Sequence, residues 1–340
     1  MWRISSPIWT RHWPRFEWRV KKVLFHSSLI TFHLSLVLFA VPARAEDSYE
    51  LLRETFLQKI NASRQKSALA PLRLSPSLSR LAQRRAQEIA AGGAGSNQTT
   101  VQEDAAAAAK SGYESRFLAE VFVQADGDVD RVYANASRPG GMLEEEIRRK
   151  DSRDLGLGVA MRDQVPVYVF LFGLSWESFT EEKRAELSDL SNVRRQLLES
   201  VNRERGNSGL SPLREEPLLN ETAQRHANDM LARSFYGHEP PEGTTALERS
   251  RAAGYRPRLV AENIARGQET VEEVMKGWMG SPTHREHILG SSFRDLGSGV
   301  AVGKNASGYQ IIWVQCFGLP REKPKTGPRS RIDRTDSGQP

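Results

Sequence analysis

Apolar side chains recur at two periods along this chain. Leu219, Ala223, Ala227 and Met230 fall every three to four residues, the spacing that lines one face of an α-helix. Val271, Val274, Met275 and Trp278 repeat it, behind a capping-box pattern of Thr270 and Glu273, and the "SPT" at 281–283 predicts where this second helix ends. Beyond it, "GSGVAVG" (297–303) and "YQIIWVQCFG" (309–318) are rich in β-branched and aromatic residues. Joined by the short "KNAS", they predict a closing hairpin. Helices laid on a small antiparallel sheet make an α+β fold.

The pattern occurs twice. "INASRQKSALAPLRLSPSLSRLAQRRAQ" (60–87) lies over "VNRERGNSGLSPLREEPLLNETAQRHAN" (201–228) at a constant shift of 141 residues. "SGYESRFLAE", ending at Glu120, answers "AGYRPRLVAE", ending at Glu262, at a shift of 142, and "DLGLGVA" (154–160) answers "DLGSGVA" (295–301) at 141 again. So steady a shift marks a duplicated domain. The copies span 48–175 and 190–320, with a charged linker at 176–189. The Pro-, Lys- and Arg-rich stretch 321–340 has nothing to bury and is expected to be a disordered basic tail.

Charge changes the picture only once it is located. The chain carries a formal +6, which suggests an anionic partner. Residues 1–45 alone hold seven Lys/Arg against Glu17, and the tail adds a further excess of three, so the folded body is slightly acidic. A nucleic-acid partner loses its electrostatic footprint. The basic N-terminal stretch, the apolar run ending near Val41 and the Ala43-Arg44-Ala45 site follow the grammar of a secretory signal peptide cleaved before Glu46. The expected location is therefore secreted, extracellular or periplasmic, with no transmembrane segment after cleavage. Cys316 is the one cysteine, so no internal disulfide can form, and its apolar strand marks it as a core thiol. Sequons begin at Asn61, Asn97, Asn135, Asn220 and Asn305 and matter only in a glycosylating host.

Histidine separates the copies. After residue 45 the only histidines are His226, His238, His284 and His287, all in the second copy. The first has Arg85 at the place of His226, "GGAGSNQTT" (92–100) for the His238 loop, and Gly141 near the place of His284. Both copies keep the acid, Glu120 or Glu262. His226, between Ala223 and Met230 on the inner helix face, reads as a hydrogen-bonded core residue, and His287, three residues after His284, as a surface residue or else a second ligand.

"NRERGNSGLSPL", "AQRHANDM", "FYGHEPPEG", "AENIA", "WMGSPTHREHIL", "DLGSGVAVG" and "YQIIWVQCFG" stand in the order and spacing of the bacterial CAP domains. That superfamily is named for cysteine-rich secretory proteins, antigen 5 and pathogenesis-related 1 proteins. The second copy resembles it strongly and the first as a degenerate relative. The resemblance implies two α-β-α sandwiches in tandem, each with a small antiparallel sheet between helices, and a cleft lined by two histidines and two acids. His238 and His284 resemble the cleft histidines and Glu262 the acid of the family's "GEN" motif. The remaining acid lies three residues past the helix tryptophan, where this chain has Ser281, so a single carboxylate is expected.

Two imidazoles and a carboxylate suit Zn²⁺ or another divalent ion, with His238 and His284 as ligands and Glu262 as a further candidate. Beside a protonated histidine, Glu262 could equally serve as an acid/base pair. "HREH" is not the "HExxH" helix of zinc proteases, because its acid is misplaced. The favoured reading is a non-enzymatic exported binding module whose cleft takes a metal ion or a small apolar, lipid or cell-envelope ligand. A second reading is a hydrolase or protease using His238, His284 and Glu262. It lacks a nucleophile with an evident base; Ser281 is a conceivable one, but more simply caps the helix break before Pro282. A third is a structural or adhesive surface protein.

Overall fold

Alternation along the last strand of each repeat decides the layering. The structure is a computed structural model that describes residues 20–23, 42–92 and 101–321. The chain divides into two units, Met1–Phe179 and Thr180–Pro340. In the first, β1 (Val20–Val23) and α1 (Pro42–Lys66) are followed by β2 (Arg73–Leu74), α2 (Pro76–Ala90), α3 (Val101–Lys110) and β3 (Ser115–Gln124). Then come α4 (Val129–Ala136), α5 (Met142–Ile147), β4 (Asp154–Arg162) and β5 (Val165–Ser175), and α6 (Trp176–Glu186) spans the division. In the second unit, α7 (Leu190–Asn207), β6 (Arg214–Glu215), α8 (Pro217–Ala232), α9 (Ala246–Ala252) and β7 (Pro257–Arg266) are followed by α10 (Val271–Met279), α11 (Pro282–Ile288), β8 (Asp295–Asn305) and β9 (Gly308–Pro320).

The sheets run β1-β3-β5-β4-β2 and β6-β8-β9-β7. In each, the three long strands are antiparallel and the two-residue strand joins in parallel. Successive strand residues face opposite ways. Val167, Val169 and Leu171 therefore meet Leu78, Ala82 and Ala86 of α2, while Tyr168 and Phe170 meet Phe56 of α1 edge-on. In the second unit Ile312, Val314 and Cys316 meet Leu219, Ala223, Ala227 and Met230 of α8. Gln315 and Phe317 turn to Met275 of α10 and His287 of α11. Each unit is thus an α-β-α sandwich, and each fully buried aliphatic side chain contributes about 1.5–3 kcal/mol.

The polar skeleton is duplicated as well. Asn61 brackets Leu72 with two backbone hydrogen bonds, and Asn202 brackets Leu213 in the same way. Buried Arg64 donates to the carbonyls of Ala70, Ile147, Arg149 and Ser152; buried Arg205 donates to those of Ser211, Ile288 and Gly290. The Tyr113 and Tyr255 hydroxyls each donate to a buried aspartate, Asp154 and Asp295, at 2.7 Å. Two copies with these contacts at offsets of 141 to 142 residues are one fold.

Several sequence expectations change. "SPT" does not merely end a helix: Gly280 caps α10, and Pro282 sits in the first turn of a further helix, α11, which carries both His284 and His287. Thr270 caps α10, but the Glu273 carboxylate turns to the Glu269 N–H; the complete capping box is Thr245 with Glu248 on α9. The span 176–189 carries helix α6. Asn61 and Asn220, which begin two of the sequons, use their side-chain amides in hydrogen bonds within the fold. Of the expected leader, Val20–Val23 form β1 and α1 begins at Pro42, so the expected cleavage point lies within that helix. The rest of the leader, the 321–340 tail beyond Arg321 and the "GGAGSNQTT" segment after Gly92 lie outside the described residues. Among the described residues no helix is long and apolar enough to cross a membrane.

Candidate functional site

Glu262 and Asn263 are neighbours on β7, an edge strand of the second sheet, so their side chains point to opposite faces. Glu262 pairs in register with Cys316 and faces α8; Asn263 pairs with Gln315 and faces α10 and α11. The histidine-bearing segments are tied to these two residues on either side of the edge strand, near enough that His238 acts electrostatically on both His284 and His287.

On the α8 face the Glu262 carboxylate is almost fully buried, at 5% exposure. Its Oε2 accepts from Arg249 Nη2 at 2.6 Å, and its Oε1 lies 3.0 Å from His238 Nδ1. A carboxylate held by a guanidinium can only accept, so His238 Nδ1 is the donor in this contact, and in the neutral ring Nε2 is the atom with the lone pair. The His238 ring is exposed. His226 sits against the same carboxylate, its Nε2 3.7 Å from Oε1 and 3.0 Å from the Gly237 carbonyl. A carbonyl also only accepts, which puts the His226 proton on Nε2; its Nδ1 is buried and unpartnered. Burial holds the His226 pKa below its usual 6.5, against the pull of Glu262. The expected core histidine is therefore also a neighbour of the site. Burial, reinforced by Glu262, pushes the Cys316 thiol well above its usual value, which removes it as a nucleophile.

On the other face buried Asn263 donates through Nδ2 to the His284 carbonyl at 3.1 Å and accepts at Oδ1 from His287 Nδ1 at 2.8 Å. His287 also packs on Phe317. The surface reading of His287 fails, because α11 lies down on the sheet and its last turn sets His287 against Asn263 and Phe317. Burial lowers the pKa of both His284 and His287, so both rings are neutral near pH 7. The His284 ring makes no hydrogen bond among the described residues. Ser281 is the N-cap of α11, makes no side-chain capping bond, and joins none of the described contacts around Glu262.

Sequence reasoning missed Arg249 and Asn263. Arg249 also donates to the His238 and Thr244 carbonyls, at 2.9 and 2.7 Å. Only the asparagine of "AEN", next to the acid, offered a signal. In the first unit the offset of the Arg64 and Arg205 contacts sets Leu143, not Gly141, at the place of His284. Leu143 is buried and apolar.

Among the described residues no group of three or more His, Cys, Asp or Glu side chains could hold a metal ion. Glu262 has both oxygens engaged, and the adjacent guanidinium disfavours a dication there. The donors that remain suited to a metal are His238 Nε2 and His284.

Comparison with known proteins returns one family. The model of the cysteine-rich secretory protein family matches residues 57–140 and 198–317, one segment in each unit. The "Uncharacterized protein YkwD" of Bacillus subtilis is 35% identical over 130 residues, which are 38% of this chain and 48% of that protein. The "Uncharacterized membrane protein YlbC" of the same organism is 26% identical over 124 residues, 36% of this chain and 35% of its own. The chain thus spans about half of the first relative and about a third of the second. Similar solved structures include an outer surface protein of Borrelia burgdorferi (22% identity, 37% of this chain and 90% of that one, TM-score 0.33). Another is an extracellular protein containing an SCP domain from Bacillus anthracis (19% identity, 45% and 52%, TM-score 0.36).

Proposed function

Because this chain belongs to the cysteine-rich secretory protein family, we propose that it is an exported, non-enzymatic binding module whose second unit holds a divalent metal ion through His238 and His284. The observation that carries this reading is the contact of His238 Nδ1 with the Glu262 carboxylate, 3.0 Å from Oε1. The His238 Nδ1–H is taken by Glu262, so Nε2 is presented from an exposed ring. That is the usual outer arrangement of a metal-binding imidazole. His284, kept neutral by burial, is the second donor.

Neutral imidazoles suit Zn²⁺ and Cu²⁺, whereas Mg²⁺ and Ca²⁺ demand oxygen ligands, and Glu262 is withdrawn from that role. Two imidazoles leave the rest of the ion's shell to water or to a small-molecule, lipid or cell-envelope ligand. Export rests on the leader pattern at 1–45.

Metal analysis and calorimetric titration of the purified protein test the reading. The wild type is expected to take up about one zinc ion and the His238→Ala/His284→Ala variant none, with neither binding Mg²⁺. Equal zinc uptake by the double variant overturns the assignment.

A further inference from the structure

The two units obtain the cation beside their buried glutamate from different places. In the first, Arg85 of α2 reaches Glu120, with Nε 3.1 Å from Oε2 and Nη2 3.4 Å from Oε1. Arg85 stands 141 residues before His226 and so occupies that residue's place. In the second, the cation is Arg249 of α9. Its counterpart 142 residues earlier, the offset of the tyrosine and glutamate pairs, is Ala107. The fold can therefore neutralise this carboxylate from α2, or from the same place on α8, and does not require an arginine on α9.

The α9 position adds a hold on the loop. Arg249 Nη1 binds the carbonyls of His238 and Thr244, the start and end of a turn containing Pro240, Pro241 and Gly243. The exchange also leaves the α8 position to His226, whose Nε2–H holds the carbonyl of Gly237. Both exchanged residues thus end on consecutive carbonyls, Gly237 and His238, at the histidine that the first unit lacks. The guanidinium meanwhile occupies Glu262 Oε2 and leaves Oε1 to the imidazole.

Resting on the metal-site reading above, we propose that Arg249, together with His226, is a positioning residue for His238. It fixes the 238–244 loop and keeps Glu262 as an outer partner of the imidazole, not a ligand of the ion. The fold needs a cation here; the site needs this one.

The test transplants the first unit's arrangement into the second of the full-length protein, as His226→Arg/Arg249→Ala. The melting temperature is expected within about 4 °C of wild type. Zinc affinity should fall about 10- to 100-fold, and amide exchange across 238–244 in the metal-free protein should accelerate. A folded double variant with wild-type zinc affinity, or with wild-type exchange in that loop, overturns the proposal. Should the transplant not fold, Arg249→Lys carries the same readouts. One ammonium keeps the charge but lacks the planar fork that reaches a carboxylate and two carbonyls together, so the lysine variant should keep its melting temperature and lose zinc affinity and loop protection. Wild-type values for either in that variant are equally fatal. If the wild-type protein takes up no zinc, the metal reading fails by itself, and loop exchange still decides the role of Arg249.

Discussion

Glu262 and Asn263 do unlike work because a strand turns adjacent side chains to opposite faces. The acid organises an ionic cluster under the His238 loop, and the amide pins α11 through the His284 carbonyl and the His287 ring. Removing the acid strands the Arg249 guanidinium, whose side chain is only 14% exposed. Breaking a buried pair in this way costs about 3–5 kcal/mol, so Glu262→Ala should lower the urea midpoint by a correspondingly large step. Glu120→Ala should do the same in the first unit, because the pair there is as buried. Asn263→Ala leaves the His284 carbonyl and the His287 N–H without their partner at a cost of about 1–3 kcal/mol. It is also expected to weaken zinc uptake, which a purely structural loss at that distance from His238 would not do; calorimetric titration of the folded variant checks this.

At the scale of elements, the sheet and its covering helix approach so closely that side chains are excluded between them. A Cβ on Gly299 would lie 2.5 Å from Gln224 Cα, and one on Gly297, Gly156 or Gly158 would run into the backbone of Leu219, Leu78 or Ala82. The repeated "LGxG" of "DLGLGVA" and "DLGSGVA" is therefore a packing requirement. Overpacking of this kind costs about 1–3 kcal/mol or more, so Gly158→Ala and Gly299→Ala should each destabilise their unit, measured by chemical denaturation. Arg205 is the matching device at the other face. Its guanidinium satisfies the carbonyls of Ile288, the last residue of the helix that carries the two histidines, and of Gly290 just past it. Arg205→Ala is expected to fray α11 first, visible as faster amide exchange over 282–290 than over α8.

For the whole molecule, the duplication distributes acid sensitivity unevenly. The second unit buries His226 and half-buries His284 and His287, with pKa values lowered below 6.5, chiefly by desolvation. The unfolded chain therefore binds more protons than the folded one once pH drops below about 6.5, and stability falls with pH from there down to the lowered folded values. Among the described residues the first unit contains no histidine. Between pH 7 and 5 the second unit should lose stability through these imidazoles. Hydrogen exchange on the full chain, corrected for intrinsic rate, should register the loss in 190–320 and spare 48–175 by comparison. Equal loss in both would assign acid sensitivity to the carboxylates shared by the copies.

The sequence by itself determined the duplication and the α+β class, and its resemblance to the family put His238, His284 and Glu262 forward as cleft residues. The class follows from periodicity and the duplication from a constant offset, both of which are read without any tertiary contact. It also exposed the histidine-free first copy. Only the tertiary structure decided that Arg249 on α9 meets Glu262, that Asn263 reaches α11, that His287 is tucked against Phe317, and that Ser281 stands apart. These meetings depend on where an edge strand sends its two faces and on where a short helix lands after a Ser-Pro break. Arginine and asparagine carry no spacing signature of their own, and α11 is too short to declare itself by period. A contact between residues far apart in sequence exists only once the sheet has closed, so no local pattern could have announced it.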